Sequence, residues 1–172
     1  MTLLAVSVLG HDRPGIIADV TDVLARLGGN LEDSTMTILR GHFAMTLLVS
    51  GAAAAAEVED ELQPLTADGS LLVSVREVAP EPDPAGGGSG HVLTVHGADR
   101  AGIVSAVTRV LADAGGNVTD LTTRLAGTLY LLVAEVDLPP AADADALAAR
   151  LGSLARELGV EASLRPAEPD VL

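Results

Sequence analysis

The sequence predicts two small α/β domains in tandem, each an antiparallel four-stranded sheet with two helices packed on one face. Three observations lead to this fold class: an internal repeat, a Pro- and Gly-rich segment between its two copies, and the same order of strand and helix patterns in both halves. The 172 residues are enough for two such domains, and the 48% hydrophobic content is enough for two cores.

An internal repeat establishes the organisation of the chain. Residues 10–35 and 97–122 align without a gap, and 15 of the 26 aligned positions are identical. The two segments read GHDRPGIIADVTDVLARLGGNLEDST and GADRAGIVSAVTRVLADAGGNVTDLT. A likeness of this length indicates duplication of one module, so each position in the first segment has a counterpart 87 residues later.

The segment between the copies marks the domain boundary. It reads APEPDPAGGGSG, where prolines at alternate positions prevent a helix and the glycines that follow are typical of a flexible linker. We therefore expect a first domain at 1–79, a linker at 80–90, a second domain at 91–167 and a tail at 168–172.

The first helix has the clearest pattern of all the elements. Apolar residues between Pro14 and Leu27 recur at spacings of one, three or four, which is typical of an amphipathic helix, and Gly28-Gly29 ends it. Pro14 fits the first turn of that helix, where its missing N–H costs no hydrogen bond. The other elements predicted in the first half are strands Thr2–Leu9, Asn30–Arg40, His42–Ser50 and Leu71–Val78 and a helix at Ala53–Leu65.

The second half repeats this order, and its second helix is marked by Leu147, Leu151, Leu154 and Leu158. The order β-α-β-β-α-β is that of the ferredoxin-like α+β fold. Such a sheet leaves one face and its edges open, so we expect pairing of the halves, and of two chains as a homodimer, to cover that surface.

Composition and charge exclude several classes of function. The net charge is −14 and all ten basic residues are Arg, which disfavours direct binding to nucleic acid and to anionic membrane surfaces. With one Phe and one Tyr, the chain lacks the aromatic surface of an RNA-recognition module. No signal peptide and no stretch of roughly 20 apolar residues is present, so the expected location is the cytoplasm.

The sequence contains none of the usual motifs for metal binding, cofactor binding or nucleophilic catalysis. The chain has no Cys, its four His residues are scattered, and no phosphate loop, dinucleotide fingerprint or nucleophile elbow occurs. We therefore expect no metal, no cofactor and no catalysis. One enzymatic alternative stays open: an acylphosphatase-like hydrolase would use an Arg in the first loop, where Arg13 stands, although the loop pattern Gly-x-Val-x-Gly-Val is absent.

The loop between the first strand and the first helix carries the chemistry that we expect. Unpaired N–H groups at a helix start attract an anion such as a carboxylate, and Gly15 lets a ligand approach the backbone. Asp12 is placed to accept hydrogen bonds from an ammonium group, so one loop would contact both ends of an amino acid. The structural alternatives are that Asp12 is a helix N-cap and that Gly15 only allows close packing.

Both copies of this loop resemble the hallmark segments of the ACT domain family. Gly-x-Asp-Arg-Pro-Gly-Ile-Ile and Gly-Gly-Asn-Leu carry the resemblance, and the layout of two such domains without a catalytic domain is similar to the regulatory proteins related to the glycine cleavage system transcriptional repressor. The resemblance implies sensing of amino acids at interfaces between ACT modules. It also implies that the residue before Arg-Pro-Gly and the Asn that opens the second strand contact the ligand, which are Asp12, Asn30, Asp99 and Asn117 in this sequence.

The candidate ligand-binding residues are these four together with their neighbours in the two loops: Arg13, Pro14, Gly15, Ile16, Ile17, Arg100, Gly102 and Ile103. The two Arg residues would grip a carboxylate, or would lie in solvent or pair with acids such as Asp33. The two Asn residues are also common turn residues. Since the second copy has Ala101 in place of Pro14, we expect its helix start to be less rigid and its site to be weaker.

We interpret the chain as a non-catalytic regulatory protein. It would bind a small amino acid at ACT–ACT contacts, form a homodimer and pass the ligand state to a protein partner. The alternative from a different class is an ACT oligomerisation and interaction module that binds no ligand.

Overall fold

The computed structural model describes residues 2–79 and 88–167, which fold as two compact units. The division between the units falls between residues 82 and 83. Most of the predicted linker, residues 80–87, and the predicted tail at 168–172 lie outside the described residues. The first strand of the second unit begins at Ser89, so the last two positions that we assigned to the linker belong to that strand.

The first unit has the predicted order of elements. Its strands and helices are β1 (Thr2–His11), α1 (Ile16–Arg26), β2 (Asn30–Leu39), β3 (His42–Gly51), α2 (Ala55–Leu62) and β4 (Leu71–Val78). The helix predicted at Ala53–Leu65 is shorter, because its last turn becomes a 3-10 helix at Gln63–Thr66 that contains Pro64.

The second unit repeats the order with β5 (Ser89–Ala98), α3 (Ile103–Asp113), β6 (Asn117–Ala126), β7 (Leu129–Leu138), α4 (Ala144–Leu158) and β8 (Val160–Pro166). The Asp143 side chain caps α4 by accepting the Ala146 N–H at 2.9 Å, and Gly159 ends it in a left-handed conformation. None of the described helices combines the length and the apolar character needed to cross a bilayer.

Each unit contains one antiparallel four-stranded sheet, in the order β2-β3-β1-β4 and β6-β7-β5-β8. The pairing of β1 and β2 with β3 corresponds to that of β5 and β6 with β7 at the 87-residue offset, down to a shared bulge between Leu31 and Asp33 and between Val118 and Asp120. The last strand is offset by 89 residues, because Gly10 pairs with Leu71 whereas Gly97 pairs with Val160. The sheets therefore confirm the predicted ferredoxin-like fold, once in each half.

Aliphatic side chains fill the two cores, as the scarcity of aromatic residues requires. In the first unit the inward face of the sheet packs against one side of α1 and α2, and Phe43 is its single buried aromatic residue among the described positions. In the second unit Leu147, Leu151 and Ala155 bury one face of α4 against the sheet. Each core closes on one face of its sheet, which leaves the loop at the end of β1 or β5 accessible.

Candidate functional site

The loop from Asp12 to Gly15 connects β1 to α1, and its backbone differs from the sequence-based expectation. The helix begins at Ile16 and not at Pro14, which lies in the preceding turn. Gly15 is the N-cap residue with φ 93°, a left-handed conformation that a side chain disfavours. The expectation that Pro14 belongs to the first turn of the helix is therefore wrong, because the left-handed Gly15 lies between them.

The same geometry excludes a capping role for Asp12. The N-cap position belongs to Gly15, and no side chain caps this helix within the described residues. The Asp12 N–H donates instead to the Gly41 carbonyl oxygen at 3.1 Å, and its exposed side chain lines a pocket. Asp12 is thus held by its backbone while its carboxylate is free of helix capping.

The start of α1 offers unpaired backbone donors. The first N–H with a helical acceptor is that of Asp19, which donates to the Gly15 carbonyl oxygen at 2.9 Å. The three preceding N–H groups, from Ile16 to Ala18, have no acceptor inside the helix and lie at the positive end of its dipole. Ile16 contributes only this backbone group, because its side chain is 1% exposed in the core, whereas the Ile17 side chain is exposed.

A surface pocket of about 530 Å³ opens over this helix start. Its lining is mostly apolar and includes two charged residues of the loop, Asp12 and Arg13. The lining residues are Asp12, Arg13, Pro14, Gly15, Ile16, Ile17, Ala18, Met36 and Phe43. Six of the predicted site residues, Asp12 to Ile17, therefore share one pocket.

Arg13 pairs with an acid, but not with the one that we expected. Its Nη1 atom lies 3.0 Å from Oδ2 of Asp19 in the first turn of α1, and it also donates to the Pro14 carbonyl oxygen at 3.2 Å. Asp33 accepts the N–H of the neighbouring Ser34 at 2.7 Å. Arg13 therefore pairs with a nearby acid, as one alternative held, but the acid is Asp19 and not Asp33, which we named as an example; the missed signal was the position of Asp19 within the first helical turn.

The second unit repeats the backbone of the loop with different side chains. Gly102 caps α3 with φ 93°, and its carbonyl oxygen accepts the Ala106 N–H at 2.9 Å. Ala106 is the counterpart of Asp19, so the start of α3 has no acidic residue in its first turn. The Arg100 guanidinium lies against Gly159 at the end of α4, and Ile103 is buried like Ile16.

The second unit has polar side chains at two positions where the first has apolar ones. Tyr130 and Thr123 stand at the counterpart positions of Phe43 and Met36. Burial raises the pKa of the Tyr130 hydroxyl, the nearby Thr123 hydroxyl acts in the opposite direction, and the negative charge of Asp99 raises it further. Tyr130 is therefore protonated at neutral pH, and its hydroxyl is available as a hydrogen-bond donor beside Asp99.

The Asn residues lie far from the loops within each sheet. Asn30 opens β2 opposite Ser50, whereas Asp12 follows the His11–His42 pair at the other end of β3. Eight residues of strand separate these ends, which corresponds to roughly 27 Å. The spacing in the second unit is the same, with Asn117 opposite Asp137. A single unit thus brings together its loop residues but not its Asn.

Comparison with known proteins agrees with this architecture. A model of the ACT domain matches residues 2–76 and 91–165. The chain belongs to the ACT domain family. The crystal structure of an unknown protein from Galdieria sulphuraria has 31% sequence identity to the tandem ACT chain, covers 97% of it and 99% of its own chain, and superposes with a TM-score of 0.79.

Two curated relatives extend the comparison of the ACT domains. The glycine cleavage system transcriptional repressor of Escherichia coli (strain K12) is 27% identical over 94% of this chain and 88% of its own length. A UPF0237 protein of Methanopyrus kandleri is 51% identical over 49 residues, which are 28% of this chain and 54% of that protein. The match to the second relative thus spans about half of its length.

Proposed function

We propose that this chain is a non-catalytic regulatory protein whose ACT domains sense a small amino acid. The observation that carries the proposal is the pocket at the start of α1, where unpaired N–H groups and the free Asp12 carboxylate line one space. The N–H groups of Ile16 to Ala18 suit the carboxylate of an amino acid, and Asp12 suits its ammonium group. The family membership supports this use of the loop.

The wide separation of Asp12 from Asn30 supports a ligand shared between two ACT modules. A free amino acid is far shorter than the roughly 27 Å of strand that separate the two side chains in one sheet. One module would provide the loop with Asp12, Arg13, Pro14, Gly15, Ile16 and Ile17, or with Asp99, Arg100, Gly102 and Ile103. A second module would provide Asn30 or Asn117.

The regulatory output would pass through a protein partner. The E. coli relative is by name a transcriptional repressor. A net charge of −14 opposes direct contact of this chain with DNA, because binding to the phosphate backbone relies on basic residues. A sensor that acts on another protein fits both observations.

A ligand-free oligomerisation module is the second candidate, and the edge strand β2 favours it. This strand has a neighbour on one side only, and it exposes large apolar side chains: Leu31, Met36, Ile38 and Leu39. An exposed apolar edge is a typical pairing surface. Homodimerisation fits both candidate functions, so oligomeric state alone does not separate them.

A thermal-shift panel of the twenty amino acids separates the two candidates. A ligand that binds only the folded state raises the free energy of unfolding by about 2.7 kcal/mol at a concentration one hundred times its Kd. The sensor predicts a rise in Tm with one or a few small amino acids, and a smaller rise in the Asp12→Ala variant. If no amino acid raises the Tm while light scattering shows a dimer, the oligomerisation module is the better account.

A further inference from the structure

Two histidines face each other at the end of the first sheet. His11 ends β1 and His42 begins β3, and the two are direct partners in the antiparallel ladder. Their ring centroids lie 5.4 Å apart with the planes tilted by 34°, and both side chains are exposed. The proposed amino-acid site does not use either ring.

The backbone around the pair is firmly held. The His11 N–H donates to the Ser70 carbonyl oxygen at 3.0 Å, and the N–H of the next residue, Asp12, donates to the Gly41 carbonyl oxygen at 3.1 Å. The turn before His42 uses left-handed backbone at Arg40 and Gly41, with φ 51° and 84°. Both Cα positions are therefore set by the sheet and its turn, and only the side-chain torsions remain free.

The spacing of the two rings fits coordination of one metal ion. When two imidazole nitrogens bind a tetrahedral ion at about 2.0–2.1 Å, simple geometry places the ring centroids roughly 5 Å apart. The distance of 5.4 Å is close to that value, and both side chains are exposed and free to turn one nitrogen each towards the ion. Imidazole is a common ligand of Zn²⁺, Ni²⁺ and Cu²⁺, and the chain's net charge of −14 favours a cation.

We propose that His11 and His42 form a binding site for a late first-row divalent ion such as Zn²⁺. No group of three or more His, Asp or Glu side chains is placed to hold an ion in the part of the chain that the structure describes. The pair is thus a two-ligand site, and water or a donor from another molecule completes the coordination. Such a site keeps positions open for exchange, unlike a closed structural zinc site.

The second ACT domain provides a natural control. Its register places Ala98 opposite Leu129, at the counterpart positions of His11 and His42. The same backbone pairing therefore occurs without imidazole in the second domain. Spacings along the sequence do not reveal this pair, because the two residues meet across strands.

Calorimetric titration with ZnCl₂ of the full chain, purified without a histidine tag, tests the proposal. We expect one ion per chain, and a loss of affinity of about tenfold or more in His11→Ala and in His42→Ala, because each removes one of two ligands. His96→Ala is the matched control, since His96 is exposed in the second domain with Glu161 at 3.7 Å, and it should leave the affinity unchanged.

A variant that gains a site, and a direct spectroscopic probe, test the proposal without relying on loss of Zn²⁺ affinity. The double variant Ala98→His, Leu129→His should raise the stoichiometry from one ion to two. NMR should show the ring resonances of His11 and His42 shifting with Zn²⁺ while those of His91 and His96 stay in place. Absence of binding, or unchanged affinity in both His11→Ala and His42→Ala, overturns the proposal, and neither result bears on amino-acid binding.

Discussion

The two ACT domains of this chain have the same backbone at the candidate site and different chemistry around it. Gly15 and Gly102 both cap a helix with φ 93°, and the first three strands of each sheet have matching registers. The side chains differ at several positions, among them Asp19 against Ala106, Met36 and Phe43 against Thr123 and Tyr130, and the His11–His42 pair against Ala98 and Leu129. The two domains thus share one backbone geometry and differ in the charge and polarity of the side chains around it.

This comparison changes the expected ranking of the two sites. From the sequence we expected the second site to be weaker because Ala101 replaces Pro14. The structure gives the two loops the same N-cap geometry, so the replacement leaves the backbone of the helix start unchanged, and the difference in rigidity stays a prediction. At α1 a carboxylate ligand would compete with Asp19 for the Arg13 guanidinium, whereas the start of α3 has no acid in its first turn. We therefore expect the α3 start to be the better anion site.

The shared backbone should be the most costly feature to disturb. Because an L-residue in the left-handed region costs about 1–2 kcal/mol, Gly15→Ala and Gly102→Ala should each lower the free energy of unfolding by that amount. Gly152→Ala is the control: Gly152 lies inside α4 with open space around its Cβ position, so this change should stabilise the chain by about 0.5–1 kcal/mol. Urea unfolding followed by circular dichroism measures all three. Unequal losses of unfolding free energy in Gly15→Ala and Gly102→Ala would show that the backbones of the two loops differ.

The polar pair Thr123 and Tyr130 of the second domain should have a smaller effect. The two are diagonal neighbours across β6 and β7, and coupling of their hydroxyls predicts that Tyr130→Phe lowers the free energy of unfolding by about 0.5–1 kcal/mol. Thr123→Val should act on the same contact, so the double variant should lose less than the sum of the single variants. Additive losses in this double-mutant cycle would mean that the two hydroxyls do not interact.

The first-turn acid should give the smallest effects, with opposite signs in the two domains. Asp19→Ala should lower the free energy of unfolding and Ala106→Asp should raise it, each by about 0.3–1 kcal/mol at low salt, because a carboxylate stabilises a helix N-terminus. Both changes should shrink at high salt, since both sites are solvent-accessible. The free energy of unfolding of both variants should be measured at two salt concentrations. If both variants change it in the same direction, the first-turn acid does not distinguish the two domains.

The elements of the fold could be predicted from the sequence, because apolar spacing and glycines mark them locally. Strand β4 was predicted at Leu71–Val78, where the structure has it. The start of α1 was predicted two residues early, because the pattern of apolar residues does not reveal that Gly15 is left-handed. The periodicity of apolar residues indicates which face of a helix is buried, but it gives little information about the conformation of the turn before the helix.

The candidate site was harder to predict because its contacts are not local. The loop residues were identified from their repeat, yet the distance from Asp12 to Asn30 depends on strand register. The His11–His42 pair depends on the same register. The ion pair of Arg13 with Asp19 could have been predicted, since an acidic residue in the first helical turn near a basic loop residue is a local signal.

Calorimetric titration with the amino acid that most raises the Tm tests the central claim most directly. Asp12 does not cap α1, so Asp12→Ala should leave the fold intact while it removes the partner of the ammonium group. We expect a loss of about 1.5–3 kcal/mol of binding free energy, roughly 10- to 150-fold in Kd, with a smaller loss in Asp12→Asn. Asp99→Ala should cause a comparable loss at the second loop. Unchanged affinity in both Asp12→Ala and Asp99→Ala would contradict an amino-acid site in these loops.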